Sequence, residues 1–161
     1  MSTLNAFALP ALLNDAGQLD QTFAHGGVAQ VYFAASLSSL TEDVALDAQG
    51  RILVAAKVGV AEGSRFGLAR LLADGSADLS FGNQGSVIDT FTHGFDAMAG
   101  KVQVLADGRI LLAGLHYENS HRTLPAFALF DAQGNPDQTF GDNGRQVVRL
   151  PGDLSMGTRD T

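Results

Sequence analysis

The feature that most restricts what this chain can fold into is a pattern it contains three times. Written G-x-x-D-x-x-F-x-x-x-G, it occurs as Gly17, Asp20, Phe23, Gly27, as Gly75, Asp78, Phe81, Gly85, and as Gly134, Asp137, Phe140, Gly144. The copies are 58 and 59 residues apart. A period of this size is the mark of a repeat architecture, in which each unit buries its apolar face on its neighbours.

The segments around each copy also recur. Apolar runs at residues 6–13 (AFALPALL), 66–72 (FGLARLL) and 126–130 (AFALF) lead into the element. They are short and bounded by turns, so they are expected to be strands. A second strand is expected after each element, at 27–33, 86–91 and 145–150. In the middle one Val87, Asp89 and Phe91 alternate with Ile88 and Thr90, the period-2 pattern of a pleated strand.

A hairpin follows twice, DVALDAQGRILVAA at 43–56 and KVQVLADGRILLAG at 101–114. Their turns end in Gly50 and Gly108, and the Gly-Arg-Ile-Leu that follows is identical in both. Variable connections are expected at 34–41 and 92–100, and polar loops at 59–65 and 116–123. The expectation is an all-β chain of about ten antiparallel strands. It reads as a single repeat domain over 1–161, with repeat 1 at about 6–65, repeat 2 at about 66–123, a partial repeat 3 at about 124–150 and a loose tail over 151–161.

Composition excludes several classes. With 45% hydrophobic and 17% charged residues the chain is globular material. Its apolar runs fall far short of the roughly 20 residues a membrane helix needs. A net charge of −7, with ten basic residues spread singly, argues against a phosphate-tracking surface. No nucleic-acid or membrane partner is expected. There is no cysteine, hence no disulfide, thiolate site or cysteine nucleophile. The N-terminus lacks a basic region before its apolar stretch, so cytoplasmic residence is expected.

The repeated element invites a reading as a ligand loop, since Asp15, Asp20, Asp74, Asp78, Asp131 and Asp137 lie near glycines. The alternating oxygen ligands and closing Glu of a calcium loop are absent. A structural reading fits better: Gly supplies positive φ, Asp accepts from nearby backbone amides, and Phe plugs the layer between neighbouring units. A catalytic site is needed once, whereas a fold-forming turn is needed in every unit. Among the histidines, His25 aligns with Asn83 and Asp142, and His93 sits in a variable connection. His116, Glu118 and His121 lie within HYENSH, and metal ligation is weighed there against a solvated loop, which is favoured. Arg51 and Arg109, at equivalent hairpin positions, are read either as a repeated positive spot near one face or as paired with acidic neighbours such as Asp47 and Asp107, and pairing is favoured. No nucleophile elbow or phosphate loop occurs. No catalytic, cofactor or metal residue is assigned.

The succession DGRILLAG, FGLARLLADGSADLSFGNQG and a Val-rich strand resembles the delta-60 repeat family of bacterial tandem repeats, whose usual pattern is close to DGKILVAG…FALARYNADGSLDTSFG…G. The resemblance rests on Asp107 with the residues following it, on 66–70 and on 74–85, and the third copy repeats it in shortened form over 127–144. It covers most of 6–150. It implies a β-propeller-like fold of four-stranded blades and no defined activity. The first copy departs from it, with Leu9-Pro10-Ala11 where Leu-Ala-Arg is usual, as in an edge strand.

Ten strands make roughly two and a half blades, and a closed propeller needs about four to eight. The chain is therefore expected to complete its ring by head-to-tail homo-oligomerisation, a dimer being favoured. The alternatives are a fragment of a longer repeat protein and a β-trefoil. Its Met start and polar end support the reading as a complete small protein. The expected role is a non-catalytic binding or scaffold module. A lectin-like carbohydrate or small-molecule binder is the alternative and a propeller hydrolase the third choice. A protein or glycan ligand is the expected partner beyond a second copy.

Overall fold

The structure is a computed structural model that describes residues 10–34, 36–89, 96–119 and 122–149. The tail at 151–161, His93, His121 and the start of the connection at 92–100 lie outside the described residues. Among those described, the chain is all β: eight strands in one open sheet, with no helix.

The strands form two antiparallel meanders of four. The first contains β1 (Ser38–Leu46), β2 (Ile52–Val60), β3 (Gly63–Leu71) and β4 (Ser86–Asp89), paired in chain order. The second contains β5 (Asp96–Val104), β6 (Ile110–Asn119), β7 (Arg122–Phe130) and β8 (Arg145–Val147), paired the same way. One parallel bridge, Ser64 opposite Asp96, joins them. The Asp96 carboxylate holds that junction by accepting from the Ser64 amide and, at 2.8 Å, from its hydroxyl. The two first strands also meet: Asp43 Oδ2 accepts from the Val102 amide at 3.1 Å, and Lys101 Nζ lies 3.4 Å from Asp43 Oδ1.

The side-chain alternation of β2 and β3 puts apolar residues on both faces of the first meander, which is therefore the middle layer. Leu53, Ala55, Phe66 and Leu68 face the second meander and pack with Ala97, Ala99, Val102, Ile110, Leu112, Ala126, Ala128 and Phe130. Val54, Ala56, Val58, Ala69 and Leu71 face the other way, onto Phe23, Ala29, Val31 and Phe33 of the N-terminal segment.

Several expectations are corrected. The first two expected strands, 6–13 and 27–33, are seen from residue 10 onward as bridged segments and not as strands; Ala11 pairs with Val28 and Leu13 with Leu19. Pro10 contributes to this, because it has no N–H to donate, although its carbonyl accepts from Ala29 at 2.9 Å. The expected loop at 59–65 is a tight hairpin whose strands run up to a Val60–Gly63 pair. The expected loop at 116–123 is likewise mostly strand, with Asn119 opposite Arg122. Strand β1 begins inside the connection expected at 34–41, and β5 inside that at 92–100. The turn-like composition of these stretches conceals nine- and ten-residue strands whose backbone groups are satisfied by the ladder.

Candidate functional site

The three turn elements have the same construction. The carboxylate of Asp20 accepts from the amide and hydroxyl of Thr22, that of Asp78 from Ser80, and that of Asp137 from Thr139, each hydroxyl at 2.6 Å. The Asp carbonyls accept from the amides of Phe23, Phe81 and Phe140 at 3.0 Å. The Phe carbonyls in turn accept from Gly27, Gly85 and Gly144 at 2.8 Å. Each of these closing glycines has φ near +90°, as does the opening glycine of the second and third copies, a backbone region that suits Gly. All the Oδ1 hydrogen bonds are local, so the element is a turn, as the repeat argument required, and holds its own carboxylate.

Those hydrogen bonds also set the acidity. Thr22 holds Asp20 below the usual carboxylate range, and Thr139, followed by Arg109, does so for Asp137. Burial pushes Asp78 up, but the Ser80 hydroxyl and amide and the Arg70 guanidinium outweigh it, leaving the group lowered.

A cleft of about 690 Å3 lies between the β1–β2 and β5–β6 turns, lined in part by Asp47, Arg51, Arg70, Leu105 and Ala132. The charges in and beside it engage one another. Arg51 Nε bonds Asp47 Oδ2 at 2.7 Å and Arg109 Nε bonds Asp107 Oδ2 at 2.8 Å, as the hairpin sequences lead one to expect. Each arginine also approaches the Asp of a turn element: Arg51 lies 3.7 Å from Asp78 and Arg109 3.1 Å from Asp137. Arg70 is buried at the back. It bonds Asp78 Oδ2 at 2.8 Å, donates to the Ala132 carbonyl of the second meander, and lies 4.5 Å over the Phe81 ring. A cation over an aromatic face adds attraction where water is excluded. Arg70 thus joins two layers, a role its sequence position does not announce.

A second buried ion pair joins the outer strands. Arg145 on β8 donates through Nε to Asp89 Oδ2 at 2.8 Å and through a second nitrogen to Oδ1. Burial pushes the Asp89 carboxyl up, and Arg145 pulls against that shift.

Two histidines, His25 and His116, lie among the described residues, and neither belongs to a metal-holding group there. His116 is buried on β6, opposite Ala97 and Leu124. Glu118 is engaged by Arg149 and by Arg122 at 3.2 Å, and Arg149 is the main cause of its lowered pKa. The solvated-loop reading of HYENSH is therefore corrected to a strand over 116–119, its last two residues lying outside the described residues. Among the described residues no group of three or more His, Cys, Asp or Glu side chains could hold a metal ion. His25 is exposed on its turn, where its amide donates to Val28 at 3.3 Å as those of Asn83 and Asp142 do to Ser86 and Arg145.

Comparison with known proteins gives one match. The family described as domain of unknown function (DUF5122) beta-propeller matches residues 49–81. These residues run from the β1–β2 turn to Phe81, so they contain β2, β3 and most of the second turn element. No curated protein and no solved structure matches. Among the described residues no helix is long and apolar enough to cross a membrane.

Proposed function

We propose that this chain is a non-catalytic binding or scaffold module built from β-propeller blades, and that further copies of the chain complete its ring. Each four-stranded meander is a blade in this reading, and the N-terminal segment is the outer half of another. The observation that carries it is a difference between equivalent positions. Val102 on β5 is 7% exposed, covered by the first meander; Val44, at the same place on β1, is 50% exposed. Leu46 is exposed too, whereas its equivalent Val104 packs on the core. Among the described residues, the N-terminal segment packs on β2 and β3 and leaves Val44 and Leu46 of β1 exposed. Burying such apolar surface contributes about 25 cal/mol per Å2, and further copies satisfy it in a cyclic arrangement. Light scattering at micromolar concentration tests the reading: a multiple of the chain mass is expected, and the mass of one chain would overturn it.

A lectin-like role is the second reading, favoured by Tyr32. Tyr32 is 60% exposed and lines a groove together with Gln30, His25 and Asp74. A glycan array comparing the protein with Tyr32→Ala tests this role; no signal, or one unchanged by the substitution, counts against it.

A further inference from the structure

We propose that Phe140 of one copy seats on the corner formed by Gly17 and Leu13 of a second copy, repeating between chains a contact that occurs twice within each chain. This rests on the reading that copies associate. It adds which surfaces meet and in what sense.

Inside the chain the contact has a fixed form. The Phe of one turn element lies against the opening Gly of the next: a Cβ on Gly75 would stand 2.9 Å from the Phe23 ring, and one on Gly134 would stand 2.9 Å from the Phe81 ring. A backbone hydrogen bond accompanies each contact, from the Ala24 amide to Asp74 O and from the Gly82 amide to Gln133 O, both at 2.8 Å. Phe23 and Phe81 are buried as a result.

The series leaves one half-contact at each end of the described chain. Phe140 is only partly buried. No described atom lies within 4 Å of where a Cβ on Gly17 would stand. Beside Gly17, Leu13 is 57% exposed, although its equivalents Leu71 and Phe130 are each 1% exposed under the preceding layer. Around Phe140 the same holds of the opposite face: Leu111 and Phe127 are partly exposed, where their equivalents Leu53 and Leu68 are buried. Each end thus carries the half that the other lacks, and Gly141 N and Ala16 O are the next donor and acceptor in the hydrogen-bond series. Two different patches make a heterologous interface, so copies add head to tail until the ring closes.

Sedimentation velocity on wild type, Phe140→Glu, Leu13→Glu and an equimolar mixture of the two variants tests this. Wild type is expected at a multiple of the chain mass and each variant alone at the mass of one chain. The mixture is expected to recover a two-chain species, because one variant keeps the Gly17 corner and the other keeps Phe140. Circular dichroism confirms that each variant is folded, and Phe140→Thr replaces Phe140→Glu if the charge prevents folding. A folded Phe140 variant that retains the wild-type mass overturns this interface while leaving association in place. A mixture that stays at the mass of one chain overturns the head-to-tail sense. A wild type at the mass of one chain overturns both this inference and the reading it rests on.

Discussion

The Phe81 ring occupies the space beside Gly134, where a Cβ would stand 2.9 Å from its Cζ. Gly134 also has φ of 89°. Gly134→Ala therefore meets backbone strain and overpacking together, and is expected to cost about 2–4 kcal/mol in denaturant unfolding. Gly50→Ala is the control. At φ of 74° with nothing within 4 Å of its Cβ position, it incurs strain alone, about 1–2 kcal/mol. Equal losses at the two positions would contradict the plug contact.

Arg70 reaches Asp78, the Ala132 carbonyl and the face of Phe81. Arg70→Met removes both hydrogen bonds and the cation over the ring, leaving the Asp78 carboxylate only its Ser80 bonds and the more distant Arg51, at an expected cost of about 3 kcal/mol. Arg70→Lys retains the charge and loses the planar fork, so it is expected to recover less than half of that loss. Complete recovery by lysine would show that the charge alone matters.

Asp89 supports a prediction about pH. Its folded pKa is raised, so ionisation opposes folding above that pKa, and the penalty is relieved as pH falls toward the unfolded value. In wild type Arg145 offsets much of this. Arg145→Met leaves the carboxylate buried without that partner and is expected to cost about 3–5 kcal/mol at neutral pH. Part of the loss should return as pH falls through the raised Asp89 pKa. Melting temperature followed from pH 7 to 4 checks this, and a deficit that does not shrink would contradict it.

The turn carboxylates have the opposite sign. Asp20, Asp74, Asp78, Asp131 and Asp137 are all lowered in the folded chain. Their stabilisation is present above the unfolded pKa near 3.8 and is lost as pH falls toward the folded values. Stability is expected to decline below about pH 4, more steeply in wild type than in Asp78→Asn. Parallel acid profiles for the two would contradict a role for the Asp78 carboxylate.

Local structure was more legible in the sequence than its assembly. The 58- and 59-residue spacing identified the turn element, and local rules explained its Gly and Asp, because those hydrogen bonds span two to four residues. The paired Gly-Arg-Ile-Leu hairpins and their Arg–Asp pairs were legible for the same reason. Strand ends were not: 59–65 has a loop's composition but belongs to a ladder whose register depends on β2 and β3 together. Contacts between layers were also hidden. Arg145 and Asp89 are 56 residues apart and are not repeated, so no periodicity marks them. Nor could composition reveal that His116 is buried on a strand, since its polar neighbours Glu118 and Asn119 resemble a loop.

Native mass spectrometry of the wild-type chain tests the central claim most directly, because it counts copies without assuming a shape. One discrete species at a whole multiple of the chain mass is predicted, persisting at low micromolar concentration. A spectrum containing only single chains under those conditions would contradict the account.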